Sequence, residues 1–345
     1  ISMNHFALAS SPGRRRLLIV LALAAIFATA VVPYLWVLRL PLTAVDTIPT
    51  LAAARVDSVR DIPALLLREL RGGADPTSSY YRPLTMATYA VDFALWRWNA
   101  FGYQLTDLLL HGLAALAVFA MARLAFDRRT PWALLVTAIF LFHPATIEVV
   151  PAVARREEPL LVIGIALALI GARHLPAPRG ALLLLLGSLV AVTSVERGLM
   201  IPGLVFVYLL VYRGEEPWLP RGRQALVATL PALLVAVTFY LAHRLLFVHS
   251  DQQFLPRNLV EIPQRFFGAL VYPQQVIDFK APHTLAAGLP WVLLSGGALL
   301  GLPWSLWRSR ELALCACGFL FAAGYCALLA VAGQVHPWYT YTAAP

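Results

Sequence analysis

The chain has 345 residues, of which 60% are hydrophobic and only 13% are charged, and its mean hydropathy is +0.72. So little charge excludes an ordinary soluble protein of this length, which would need a far more charged surface. The net charge of +9 does not indicate a nucleic-acid partner, because the basic residues are nearly all arginines scattered through short loops. We therefore predict an all-α, polytopic transmembrane helical bundle surrounded by membrane lipid.

About nine apolar segments approach the roughly 20 residues that a helix needs to cross a bilayer. They lie at 17–38, 104–124, 131–148, 159–173, 181–194, 199–212, 224–243, 288–306 and 312–332. Arginine-rich loops follow every second segment, which predicts a cytoplasmic N-terminus by the positive-inside rule. We expect one transmembrane domain over 1–345, with a first span at 17–38, an outer loop at 39–103 and the remaining spans within 104–332.

The first outer loop contains two amphipathic stretches, at 62–70 and 84–98, in which apolar residues recur at helical spacing. Trp96, Trp98 and Phe101 suit the aromatic belt at a membrane interface. We therefore expect helices that lie on the outer membrane face and cover a cavity below.

The two ends of the sequence and its cysteines give further expectations. The apolar run after residues 14–16 (RRR) is too long for a signal peptide, so we predict an uncleaved anchor. The chain stops at Pro345 soon after an apolar segment, and one expectation is a natural chain that continues further. Three cysteines in one apolar segment show neither disulfide nor metal-ligand spacing: Cys315, Cys317 and Cys326.

Ionisable residues gather at the predicted outer ends of the spans. Such groups are costly at the edge of a bilayer, and their default interpretation is functional. The candidate site residues are Asp46, Arg82, His143, Arg155, Arg156, Glu157, Glu158, Glu196 and Arg197.

Motifs in the same order resemble those of the TMTC-type family of the GT-C superfamily, multi-span glycosyltransferases related to the protein O-mannosyltransferases. Residues 81–85 match YRPLT, and residues 101–111 are similar to FGFHxxNxxLH, with Asp107 in place of the asparagine. Three further stretches resemble HPxxTEAV, GRxDLL and SKExGI, at 142–150, 156–160 and 194–198. Residues 336–341 lie where the family has ERYLYLPS.

The resemblance implies a GT-C fold and transfer of a sugar from a polyprenyl-phosphate donor to a protein, glycan or lipid acceptor at the outer face. It also implies that Asp46 orients or deprotonates the acceptor hydroxyl, with Glu158 as a second acidic group. Guanidinium groups can grip phosphate oxygens in bidentate fashion, so Arg82, Arg155, Arg156 and Arg197 are candidates for the phosphate and acceptor clamp. This branch of the superfamily implies no metal, and we expect no cofactor apart from the lipid-linked sugar as substrate.

Most of the candidates also have a structural interpretation. Asp46 could cap a helix, Glu157 and Glu158 could form a solvated loop pair with the preceding arginines, and Glu196 could pair with Arg197. For His143 we favour a structural role at a helix end, and for His111 a hydrogen bond to a neighbouring helix.

A second functional hypothesis is a catalytically silent GT-C scaffold that serves other membrane subunits. The family usually has an acidic pair after the first helix, where this chain has Asp46 alone, and Val195 stands where a lysine is usual. A transporter is a weaker hypothesis, because no pair of interrupted helices occurs in matching halves. High arginine and low lysine content predict a bacterial inner membrane with the large loop in the periplasm.

Overall fold

The computed structural model describes residues 12–42, 46–68, 70, 80–126, 130–143, 145–212 and 218–247. Within these ranges the protein contains helices, turns and irregular segments and no β-strand, so the all-α prediction is confirmed for this part. The predicted segments at 288–306 and 312–332, the three cysteines and the motif at 336–341 lie outside the described residues.

The described residues form eleven α-helices. They are α1 Pro12–Val31, α2 Thr47–Ala53, α3 Ile62–Leu65, α4 Pro83–Trp96, α5 Ala100–Ala125, α6 Thr130–Phe142, α7 Ala145–Val149, α8 Glu157–Arg173, α9 Pro178–Ser194, α10 Ile201–Tyr212 and α11 Trp218–Leu246. Short 3₁₀ helices occupy Val32–Arg39, Val59–Asp61, Val153–Arg155 and Glu196–Met200.

Three helical stretches are long and apolar enough to cross a membrane: Arg16–Arg39, Ala100–Ala125 and Leu219–Leu246. Thr130–Phe142 and Pro178–Ser194 are apolar but shorter. Large apolar side chains lie exposed along these helices, among them Leu18, Leu134 and Leu234, as a lipid-facing surface requires. The protein is therefore embedded in a membrane, whereas the prediction of nine spans is not confirmed.

One predicted segment, 131–148, is divided in the structure. Helix α6 ends at Phe142, and α7 begins a new short helix at Ala145. The sequence places a proline after His143, and a proline disfavours helical backbone at the residue before it. The side chain of Glu148 consequently lies beyond the apolar helix rather than inside it.

Two cores share helix α8. The first joins α8 to α1, α5, α6 and α7, and the second joins it to α9, α10 and α11. Helices α8 and α9 form an antiparallel hairpin in which glycines permit close backbone approach. A Cβ added at Gly171 would lie 2.2 Å from the Leu184 nitrogen, and one at Gly187 would lie 2.3 Å from the Ala168 nitrogen. Small residues are the usual means of bringing membrane helices this close.

The first loop packs into the bundle rather than only lying across it. Helix α4 buries Met86 and Tyr89 in a small core with Leu51 of α2 and Tyr103 of α5, and Thr85 donates a 2.9 Å hydrogen bond to the carbonyl of Ser194. The helix predicted within 62–70 ends at Leu65. The starts of α4, α5 and α8 and the end of α9 meet at one end of the bundle.

Candidate functional site

Ten charged side chains gather at this end of the bundle, four of them arginines and six carboxylates. We refer to them as the ionic cluster. Its members are Asp46, Arg82, Asp92, Asp107, Arg155, Arg156, Glu157, Glu158, Glu196 and Arg197. Each pair within it joins residues that are far apart in sequence, so the cluster ties several elements together.

Arg156, just before α8, is the largest fully buried side chain of the cluster. Its Nε donates to Asp107 Oδ1 at 2.5 Å, its Nη2 lies 2.6 Å from Asp92 Oδ2, and its guanidinium lies 4.4 Å from the centre of the Tyr89 ring. Burial lowers the pKa of Arg156, but the negative charges of Asp107 and Asp92 outweigh it, and the net pKa is raised. Arg156 therefore remains charged inside the protein.

A second buried pair joins Arg197 to Glu158. The guanidinium donates through both terminal nitrogens to the two carboxylate oxygens, with Nη1 3.2 Å from Oε2. Glu158 is fully buried and Arg197 is 7% exposed. This bidentate geometry fixes the start of α8 to the 3₁₀ helix Glu196–Met200.

Arg82, just before α4, holds two carboxylates at the more open side of the cluster. Its Nη1 lies 3.1 Å from Glu157 Oε1, and its Nη2 lies 3.0 Å from Glu196 Oε2. The side chains of Arg82 and Glu196 are 12% and 26% exposed. Arg82 also lies over the ring of Tyr80, at 4.9 Å.

The most exposed pair is Asp46 with Arg155. Arg155 Nη2 donates to Asp46 Oδ2 at 3.1 Å, and the Asp46 side chain is 36% exposed. Asp46 precedes α2, but its side chain makes no capping hydrogen bond to that helix. The capping interpretation of Asp46 is therefore wrong in this structure, while its catalytic role stays a prediction.

A cavity of about 280 Å³ lies beside this pair. It is lined by Leu40, Pro41, Leu42, Thr47, Gln104, Ile147, Glu148, Pro151, Ala152 and Val153. Neither Asp46 nor Arg155 is among these lining residues, but Thr47 directly follows Asp46 and Arg155 lies two residues beyond Val153. The ion pair therefore lies on two of the segments that line the cavity. Burial raises the pKa of Glu148, and the nearby Arg155 partly opposes that rise.

The structure brings eight of the nine predicted site residues into the ionic cluster. The ninth, His143, lies at the end of α6, where its Nδ1 accepts a hydrogen bond from the Ala145 amide and its carbonyl accepts one from the Thr146 hydroxyl. This geometry fits the structural role that the sequence favoured for it. The substrate and catalytic roles of all nine stay predictions.

Two sequence interpretations are wrong. Glu157 and Glu158 are 3% and 0% exposed, so they do not form a solvated loop pair. Glu196 pairs with Arg82 and Arg197 with Glu158, rather than with each other. The reason is that the chain turns between α9 and α10 and directs the two neighbouring side chains to different elements.

Four residues of the cluster and its cavity were not among the predicted site residues: Asp92, Asp107, Gln104 and Glu148. The signal was present, because Asp92 and Asp107 are acidic residues inside largely apolar helices, where an ionisable group normally has a partner. Their partner is Arg156, which the sequence had assigned to substrate. Among the residues that the structure describes, no three His, Cys, Asp or Glu side chains form a group that could hold a metal ion.

Comparison with known proteins gives one partial relationship. A stretch of 134 residues, 37% of the chain, is 26% identical to Protein O-mannosyl-transferase TMTC3 of Mus musculus. The chain spans 14% of the length of that protein. No family model and no solved structure matches. The similarity supports a glycosyltransferase-like relationship over that part of the chain.

Proposed function

We propose that the protein is a membrane glycosyltransferase that moves a sugar from a polyprenyl-phosphate donor to a hydroxyl-bearing acceptor at the outer face of the membrane. The observation that carries the proposal is the Asp46–Arg155 pair, the most exposed part of the ionic cluster, on two segments that line a cavity. The partial similarity to an O-mannosyl-transferase supports this class of reaction.

In the proposed reaction Asp46 is the general base. The acceptor oxygen attacks the anomeric carbon from the face opposite the phosphate, its proton passes to the Asp46 carboxylate, and the bond from carbon to phosphate oxygen breaks, which inverts the configuration. The polyprenyl phosphate leaves with the bonding electron pair. Arg155 donates a hydrogen bond to the Asp46 carboxylate and so orients it, and a positioned base of this kind contributes about 10²–10⁴-fold to the rate.

Arg82 is the arginine that we assign to the leaving phosphate. The Arg82 side chain is 12% exposed. Glu196, the carboxylate that Arg82 binds at the more open side of the ionic cluster, is 26% exposed. A phosphate would displace the Glu196 carboxylate from Arg82 and accept the bidentate hydrogen bonds that Arg82 now donates to Glu196.

Arg156 and Arg197 receive positioning roles in this proposal, together with Glu157 and Glu158. All four side chains are buried. Arg197 pairs with Glu158, Arg156 pairs with Asp92 and Asp107, and Glu157 pairs with Arg82. They hold the start of α8, and with it Arg155, in place relative to Asp46.

The test is a transfer assay with the full-length protein in liposomes, with undecaprenyl-phosphate mannose as donor and serine peptides and methyl glycosides as acceptors. The change Asp46→Asn removes the base but keeps the shape, and we expect a loss of at least about 100-fold in rate. The control is Asp57→Asn, because Asp57 is exposed in the same loop. Transfer by Asp46→Asn at the rate of the control would exclude Asp46 as the base.

A catalytically silent scaffold is the second candidate function. The observation in its favour is that each arginine predicted to hold phosphate already holds a carboxylate. This hypothesis predicts no transfer by the wild-type protein, no effect of Asp46→Asn, and stable co-purification with other membrane subunits.

A further inference from the structure

The cavity beside Asp46 has a polar lining that the pairs of the ionic cluster do not use. Gln104 at the start of α5 and Thr47 at the start of α2 both line it, and each is 1% exposed. Gln104 Nε2 donates to the carbonyl of Pro151 at 3.3 Å. Gln104 Oε1 and Thr47 Oγ1, however, are buried and have no hydrogen-bond partner within the described part of the protein.

Two such oxygens on residues that line one small cavity call for a ligand. A buried oxygen without a partner costs free energy, and native proteins normally satisfy it. Both oxygens can accept hydrogen bonds, as can the Glu148 carboxylate on the same wall. The matching ligand therefore carries several O–H or N–H donors.

The remaining lining limits the charge and size of that ligand. No Arg or Lys side chain is among the lining residues of this part of the chain, so the cavity itself offers no cation to a phosphate. Leu40, Pro41, Ile147 and Pro151 contribute apolar surface suited to the C–H face of a sugar ring. A volume of about 280 Å³ is just below the range of roughly 300–1,000 Å³ for drug-sized ligands, which admits about one ring.

We infer that this cavity binds a single neutral monosaccharide ring through its hydroxyl groups, with Gln104, Thr47 and Glu148 as the residues that recognise it. The identity of the ring as donor or acceptor sugar rests on the proposed function. The cavity would place a hydroxyl of the acceptor, or the anomeric carbon of the donor, beside Asp46. The phosphate would remain outside it, toward the arginines of the ionic cluster.

The binding test uses the full-length protein in nanodiscs and methyl α-mannopyranoside and methyl α-glucopyranoside as probes, with saturation-transfer NMR to measure affinity. Thr47→Val and Gln104→Met keep the size of each side chain and remove the unpartnered oxygen. We expect binding about three- to tenfold weaker in each variant, the effect of one hydrogen bond. Thr50→Val is the matched control, because Thr50 is buried in the same helix and does not line the cavity.

The two possible sources of the ring are separated by adding undecaprenyl-phosphate mannose. Displacement of the glycoside by this lipid would assign the cavity to the donor sugar, and binding of both together would assign it to the acceptor. The inference is overturned if neither glycoside binds the wild-type protein, or if Thr47→Val and Gln104→Met bind as tightly as Thr50→Val.

The variant Asp46→Asn separates this inference from the proposed function. Glycoside binding without transfer in the wild-type protein would retain the sugar pocket and reject the transferase. Transfer that depends on Asp46 but not on Thr47 or Gln104 would retain the transferase and reject the pocket.

Discussion

Arg156 shows at the scale of single residues how the structure changes the meaning of a sequence motif. The guanidinium is buried between Asp107 and Asp92, so removing its charge would leave two carboxylates in the interior. Breaking a buried ion pair from one side typically costs about 3–5 kcal/mol. We predict that Arg156→Gln lowers the free energy of unfolding in detergent by about that amount.

The control for this prediction is Arg60→Gln, because Arg60 is an exposed arginine of the first loop, in the 3₁₀ helix Val59–Asp61. Exposed substitutions usually change stability by about 0.5 kcal/mol or less. If Arg156→Gln unfolds at the same denaturant concentration as Arg60→Gln, the buried network does not stabilise this end of the bundle.

Glu148 gives a prediction of pH dependence. Burial raises its pKa in the folded protein above the ordinary value of 4.5. Below that value Glu148 is protonated in both the folded and the unfolded protein, and the stability gained by burying the neutral carboxyl is fully present. This stability is lost as the pH rises through the folded pKa, because the carboxyl must then ionise in a buried position. We predict that the unfolding free energy of the wild-type protein falls relative to that of Glu148→Gln as the pH rises above the ordinary value of 4.5. Parallel pH profiles for the two proteins would contradict this.

The sequence predicted which charged residues belong to the ionic cluster better than it predicted which of them form ion pairs with each other. Charge at the ends of apolar segments was enough to select Asp46, Arg82, Arg155 and Glu158. Pairing depends on the distance between helices, and a single sequence does not contain that distance. The acidic partners of Arg156 therefore became visible only when α4 and α5 were placed beside it.

The α8–α9 hairpin is the element whose packing leaves the least space. A methyl group at Gly171 would meet the backbone of Leu184 at 2.2 Å, whereas one at Gly203 on α10 would meet nothing within 4 Å. We predict that Gly171→Ala lowers the free energy of unfolding by about 1–3 kcal/mol through overpacking. Gly203→Ala is the matched control and, as a helix-favouring change, is expected to stabilise slightly. Equal thermal midpoints for the two variants would contradict close packing at Gly171.

Hydropathy predicted where the helices lie more accurately than it predicted where they end. The apolar runs at 104–124 and 181–194 fall within α5 and α9. The run at 131–148 was predicted as one segment because its apolar residues continue past residue 142, where local backbone geometry ends the helix. Hydropathy averages over such a break and cannot detect it.

The orientation of the whole molecule is a proposal that labelling can test. We propose that the ionic cluster faces the periplasm of a bacterial inner membrane and that the turn between α8 and α9 faces the cytoplasm. In a protein whose three cysteines are changed to serine, Ser58→Cys and Arg179→Cys place one thiol at an exposed position of each end. An impermeant maleimide applied to spheroplasts is expected to label Ser58→Cys alone. Labelling of Arg179→Cys alone would show that the protein has the opposite orientation.

We propose that this membrane bundle handles lipid-linked sugar as an enzyme rather than serving as a subunit of a complex. The most direct measurement is gentle purification from its own membrane, followed by native mass spectrometry of the protein and the lipids bound to it. We expect a particle that carries a polyprenyl-phosphate sugar and no stoichiometric partner. A fixed set of partner subunits without any lipid-linked sugar would contradict it and favour the silent scaffold.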